Sequence, residues 1–138
     1  EDLGKADVLF IIGSNTTECH PIIGNVIKQA VRFRGTKLIV ADPRFIQLAR
    51  LAHLHLRHRP GTDVALLNGL MHLILKEGLA NNAFIQQRTE GFPEFAETVK
   101  KYPPELVERI TGVAQADLIA AARLFGRAQR ACVVYGMA

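Results

Sequence analysis

The sequence predicts an α/β fold on a mostly parallel sheet. Three observations carry this: an unbroken apolar run at Val8–Ile12, a second at residues 38–41, and helical patterns between and after them that open on Pro or Thr-Asp and close on Gly. Continuous runs rich in Val and Ile read as strands buried on both faces, which is usual where helices cover a parallel sheet. With 138 residues, 49% of them hydrophobic and 22% charged, the chain has material for one domain with a core.

The first strand is expected at residues 7–13. A helix follows from Pro21 to about Arg34, its apolar face formed by Ile22, Ile23, Val26, Ile27, Ala30 and Val31 at helical spacing, and Gly35 closes it. Strand two is "KLIVA", Lys37–Ala41; Asp42-Pro43 stops it because proline has no N–H for the ladder. "RFIQLARLA" suggests a short helix. In "HLHLRHRPGTD", Leu54 and Leu56 alternate with His53, His55 and Arg57, the pattern of a half-buried strand.

A Pro60-Gly61 turn then feeds a helix over residues 64–77, capped by Thr62 or Asp63 and closed by Gly78. Further helices are expected at residues 82–87, 93–101, 104–109 and 115–127. Pro104 suits a first helical turn and Glu105 its positive end. A last strand, Ala131–Tyr135, returns to the sheet. Strands alternating with helices give a Rossmann-like sheet with right-handed crossovers, flanked by helices in a single domain. There is no internal repeat and no low-complexity segment.

The bulk numbers exclude more than they assign. A net charge of +4 and a pI near 9.4 allow an anionic partner without choosing among phosphates, nucleic acid or an acidic subunit. Cys19 and Cys132 stand far apart with no CxxC pair, which argues against a disulfide framework or thiolate zinc site and suits a reducing compartment. No apolar run approaches the roughly 18 residues of a membrane span, so direct membrane insertion is not expected. The first residues lack the shape of a signal peptide. Without an initiator Met, and stopping at "VVYGMA", the chain reads as a cut through a longer protein.

Polar residues concentrate at strand ends, which lie on one edge of a parallel sheet, where ligands bind. Gly13, Ser14, Asn15, Thr16, Thr17 and Glu18 follow strand one; Asp42 and Arg44 follow strand two; Gly61, Thr62 and Asp63 follow strand three. Gly13 permits close backbone approach, Asn15 tolerates left-handed geometry, and the helix near Pro21 offers free amides to phosphate. An acid at the end of strand two matches the carboxylate that takes ribose hydroxyls in dinucleotide folds, and Arg44 can neutralise phosphate. Glu18 suits a hydroxyl or ring N–H. Asp63 can grip the paired N–H donors of guanine.

Ordinary turn chemistry competes with this reading. Ser, Asn and Thr after a strand also make turns and caps, Asp63 can simply cap its helix, and neither GxGxxG nor GxxxxGK[ST] is present. His53, His55 and His58 invite a metal, yet no carboxylate or thiolate at ligand spacing joins them, so no metal site is assigned. His72 reads as a satisfied core or boundary residue, and His20 as a cap or a ligand contact. Cys19 lies near a helix start without an identifiable base, so it reads as a small buried residue. "KQAVRFRGTK" reads as a solvated helix face, and no nucleic-acid partner is expected.

With those residues in view, the chain resembles a segment of the catalytic subunit of molybdopterin-dependent oxidoreductases, the formate dehydrogenase alpha subunits above all. The resemblance covers essentially all 138 residues and rests on "IIGSNTTECHP", "IVADPRFIQLARLAHLHLRHRPGTDVALLNGL", "FIQQRTEGF" and "ITGV", in that order. It implies that residues 1–138 are an α/β domain of a larger catalytic subunit. That domain would hold one guanosine diphosphate arm of a bis-molybdopterin guanine dinucleotide cofactor carrying molybdenum or tungsten.

Carried over by position, the implied cofactor contacts are Gly13, Asn15, Glu18, Cys19, Asp42, Arg44, Gly61 and Asp63. In the family the Cys19 position commonly holds a small hydroxyl residue, leaving a backbone contact there. The metal-ligating cysteine or selenocysteine, the histidine and arginine beside the metal, and the iron–sulfur cysteines have no counterpart here. No catalytic residue is therefore assigned, and this chain alone is not expected to oxidise formate. The resemblance further implies the rest of the subunit and electron-transfer subunits as partners. It suits a cytoplasmic protein and leaves a periplasmic one open. A nitrate reductase or other member of the family, or a nucleotide-binding scaffold, is the alternative.

Overall fold

Among the described residues, four parallel strands make one sheet in the order β3-β2-β1-β4, with β1 at Val8–Ile12, β2 at Lys37–Ala41, β3 at Leu54–Leu56 and β4 at Ala131–Tyr135. The computed structural model describes residues 2–136. They divide into two compact units: the sheet unit, formed by the chain up to His58 and from Ala128 onward, and a helical unit, Arg59–Arg127.

In the sheet unit, β1 is buried at all five positions, and β2 is buried from Leu38 to Ala41. Both are central, which is why neither shows the polar alternation of a half-exposed strand. On one face Leu9 and Ile11 align with Leu38 and Val40. These side chains pack with Ile27 of α2 (Pro21–Phe33) and with Leu48 and Ala49 of a 3-10 helix, Gln47–Leu51. Full burial of each large side chain is worth about 1.5–3 kcal/mol relative to exposure.

α2 buries Gly24, Ile27 and Ala30. Its expected apolar stripe is narrower than the sequence suggests, because Ile22 lies in the first turn and is 80% exposed. A single helical turn, α1 (Thr16–Cys19), precedes it. At Gly24 an added Cβ would meet backbone atoms of Thr16 and Thr17 at 3.1–3.3 Å, so the two helical segments touch through a glycine.

The strand entrances are tied by side chains. Thr36 Oγ1 donates to Ala6 O at 2.8 Å, and Arg34 Nη1 donates to Gly4 O at 2.8 Å. Asp7 accepts the Arg130 amide at 3.0 Å and its guanidinium at 2.8 Å, pinning β4 beside β1. The hydrogen bond from Arg130 is the main reason the Asp7 pKa lies below its ordinary value. β4 is an edge strand. Cys132 and Val134 pack against the core, while Ala131, Val133 and Tyr135 are exposed.

The helical unit is built around α3 (Asp63–Lys76), which packs against α5 (Phe92–Lys100), α6 (Pro104–Thr111) and α7 (Gln115–Gly126). Ala65, Leu66, Gly69, Leu70 and Leu73 are its buried residues, a stripe at helical spacing. Between α3 and α5 lies α4 (Asn82–Arg88), whose start is capped by Asn81 Oδ1 accepting the Phe84 amide at 3.0 Å. His72 is half-buried, its Nδ1 3.1 Å from Val99 O, as a boundary histidine should be. Thr62, expected as a cap, does not cap α3 with its side chain. Its hydroxyl donates back to Arg59 O at 2.6 Å, closing the Pro60-Gly61 turn instead.

Gly69 marks the closest approach of α3 and α6, since a Cβ there would fall 2.6 Å from Val107 Cγ2. Valine is branched at Cβ and cannot swing away cheaply. Gly69→Ala should therefore lower stability by about 1–3 kcal/mol through overpacking, despite a helix-propensity gain of about 1 kcal/mol. Urea denaturation of the two proteins measures this, and an equal or higher midpoint for the variant would contradict it.

Candidate functional site

The register fixes which residues leave the sheet together. Ile12 aligns with Ala41 and with Tyr135, and Ala41 aligns with Leu56. Because all four strands are parallel, the next residues, Gly13, Asp42, Arg57 and Gly136, emerge at one rim. Gly13 N donates to Ala41 O at 3.2 Å, so the first exit stays bonded to the second strand. Gly13 has φ of 58°, a left-handed conformation that a residue with a Cβ adopts only with strain.

Gly136 belongs to this rim although the sequence reading did not select it. A Cβ there would lie 2.9 Å from Gly13 O, so the β4 exit closes directly onto the first turn. Its signal was a glycine immediately after a strand, easily taken for the end of the pattern.

In the loop after β1, Asn15 has φ of −90° and makes no use of the left-handed geometry it tolerates, because its carbonyl begins α1 by accepting the Glu18 and Cys19 amides at 3.1 and 3.0 Å. Cys19, read from sequence as buried, is exposed, as are Glu18 and His20. His20 precedes α2 but makes no side-chain cap. Among the described residues, three buried oxygens, Asn15 Oδ1, Thr16 Oγ1 and Thr17 Oγ1, have no hydrogen-bond partner. Leaving such a group unpaired costs about 1–3 kcal/mol.

The loop after β2 is held by its own acid. Asp42 is 2% exposed, and its Oδ1 accepts the Arg44 amide at 2.8 Å and Arg44 Nε at 3.2 Å. The carboxylate assigned from sequence to ribose hydroxyls is thus engaged in an Asx-type turn. Arg44 remains 71% exposed at its side chain. Its pKa is raised, chiefly by the hydrogen bond to Asp42 and the charge there, with a further contribution from the Glu18 carboxylate of the first loop.

Gly61 and Asp63 belong to the helical unit. Gly61 has φ of 77°, and Asp63 opens α3. Arg59 donates from Nη1 to Arg109 O at 2.7 Å and Ile110 O at 3.2 Å, fastening this turn to the carboxyl end of α6.

His55 in β3 and the histidines on either side of the strand have backbone partners. His53 Nδ1 accepts the Leu38 amide at 3.1 Å, His55 Nε2 lies 3.0 Å from Asp42 O, and His58 Nδ1 lies 3.3 Å from Leu56 O. Among the described residues, no three His, Cys, Asp or Glu side chains gather as a metal ligand set.

The molybdopterin oxidoreductase family model matches residues 1–138. The chain belongs to the molybdopterin oxidoreductase family. It is 41% identical over 136 residues to formate dehydrogenase H of Escherichia coli, covering 99% of this chain and 19% of that protein. A nitrate reductase of Synechocystis is 38% identical over 138 residues, again covering 99% of this chain and 19% of the relative. The chain thus spans about a fifth of the length of the curated relatives it matches. Among solved structures, acetylene hydratase from Pelobacter acetylenicus superposes with a TM-score of 0.88 at 34% identity, covering 95% of this chain and 18% of that one. A molybdopterin cofactor is what this family implies.

His53 generates a pH prediction for this family member. Burial of the ring, with Lys37 nearby, holds its pKa below the ordinary 6.5. The unfolded chain then takes up the proton more readily. The contribution to stability is complete above the unfolded value, falls as pH drops through 6.5, and levels off below the folded value. His53→Gln offers an amide oxygen to the same N–H without titrating. Its melting temperature should fall less than that of the parent between about pH 7.5 and about pH 5. Equal losses in thermal denaturation would refute the assignment.

Proposed function

We propose that this chain is a cofactor-holding domain of a molybdenum or tungsten formate dehydrogenase, gripping a guanosine diphosphate arm of a bis-molybdopterin guanine dinucleotide. The observation that carries the reading is the meeting of the first two strand exits at one rim. Gly13 stays bonded to Ala41, and the exposed guanidinium of Arg44 stands in the field of the Glu18 carboxylate.

The residues present suit such a group. Gly13 allows a backbone-close ligand, Arg44 supplies a fixed positive charge for a pyrophosphate, and Glu18 offers a carboxylate for a hydroxyl or ring N–H. Asn15, Thr16 and Thr17 carry oxygens that lack partners among the described residues. Asp42 would act mainly by holding Arg44, and Cys19 through its backbone. Gly61 and Asp63 are assigned on sequence alone, Asp63 as the guanine-reading acid. When bound, the cofactor supplies the redox chemistry, two electrons and a proton taken from formate to leave carbon dioxide. This chain's share is anchorage, since remote binding energy fixes a reacting end without touching it.

The proposal extends to the remaining domains of the subunit and electron-transfer subunits as partners, with an iron–sulfur cluster elsewhere in the polypeptide and a cytoplasmic setting. No described helix is long and apolar enough to cross a membrane. The similarity to a nitrate reductase favours one second reading, the same domain in an oxo-transfer enzyme, because an arm-binding rim need not read the substrate.

Calorimetric titration of the cofactor-free full chain tests the reading. GDP should bind more tightly than ADP, and Arg44→Ala should weaken GDP about tenfold, as loss of one charge-assisted contact implies. Asp63→Asn should reduce the preference for GDP over ADP. Equal affinity for both nucleotides, unchanged in both variants, would overturn the proposal.

A further inference from the structure

The nucleotide reading leaves the His-Leu-His-Leu-Arg motif of β3 unexplained, and the fold gives two of its residues a shared task. His55 lies in β3 and Arg57 is the first residue beyond it, and both side chains reach back to the main chain that follows β2. They flank Leu56, the register partner of Ala41, and thus stand beside the point where β2 ends. His55 Nε2 lies 3.0 Å from Asp42 O, and Arg57 Nε donates to Pro43 O at 2.9 Å. A carbonyl only accepts, so His55 carries its proton on Nε2 in this contact.

The ladder between β2 and β3 ends at the Ala41–Leu56 pair, so these bonds act on the loop beyond it. Asp42 Oδ1 fixes the Arg44 amide from within the loop, and the Phe45 ring meets His55 edge-on with centroids 5.6 Å apart. Three successive residues, Asp42, Pro43 and Arg44, thereby have main-chain groups held by side chains. The loop has little freedom left, yet the Arg44 guanidinium and the 61%-exposed Phe45 point outward.

We propose that His55 and Arg57 are positioning residues for the nucleotide rim: by holding the Asp42 and Pro43 carbonyls they fix where Arg44 meets a phosphate. The claim rests on the nucleotide-arm reading above and adds residues that reading does not use. Preorganisation of this kind raises affinity by removing the ordering cost at binding.

The test uses the full chain with GDP as probe. His55→Phe keeps a ring and loses the donor, whereas His55→Gln retains an N–H at similar reach. Arg57→Leu and Arg57→Lys form the corresponding pair. Each donor-free variant should raise the GDP dissociation constant about five- to tenfold, and each donor-retaining variant should stay within about twofold of the parent. Hydrogen exchange at the Arg44 amide should quicken in the donor-free variants alone.

Unchanged affinity and unchanged exchange in all four variants, with the parent binding GDP, would overturn the positioning role while leaving the arm reading intact. Affinity losses that follow melting temperature, with no rescue by Gln or Lys, would also overturn it, because they would mark a merely structural role. A parent that binds no GDP would remove the arm reading and this inference together.

Discussion

The structure depends on the parallel pairing of β1 with β2. Five aligned residue pairs, every one of the β1 members buried, set the sheet's direction, and that direction decides which loops share an edge. A parallel ladder cannot be closed by a tight turn and needs a crossover. The 13 residues of α2 supply it, and they bring Ile27 onto the sheet face that Leu9, Ile11, Leu38 and Val40 present. One hydrogen bond beyond the ladder, from Gly13 to Ala41, carries the constraint into the functional loop. The chemistry at the rim follows from the core beneath it.

Much of this was legible in the residues. β2 and β4 fall where their apolar runs place them, and the main helices begin and end within two or so residues of expectation, because proline and glycine mark their limits physically. What was not legible lies where periodicity has no purchase. α1 is four residues long, too short to show a helical repeat, so its effect on Asn15 and its exposure of Cys19 could not be anticipated. Ile22 looks like a core residue by type, yet a first-turn position leaves it facing outward.

The site shows the same division. Gly13, Asp42 and Arg44 were found because strand ends in parallel sheets gather ligands. That Asp42 spends its carboxylate on Arg44 depends on a turn two residues long, and that His55 and Arg57 hold the loop depends on the β2–β3 register. Neither follows from composition. A family resemblance names positions, but only coordinates reveal that one acid serves another residue.

β4 pairs with β1 across a separation of more than a hundred residues, and the Asp7–Arg130 bond closes that gap directly. On a ribosome, β1, α2, β2 and β3 emerge before residues 59–127, and β4 follows only after them, so its pairing with β1 waits for the whole helical unit to be made. Closing so long a loop makes this pairing intrinsically slow. The flank of Val8–Ile12 that awaits β4 is then a nascent-chain hazard, a ready template for a foreign strand, and cells that make this polypeptide have reason to shield it until residue 131 arrives.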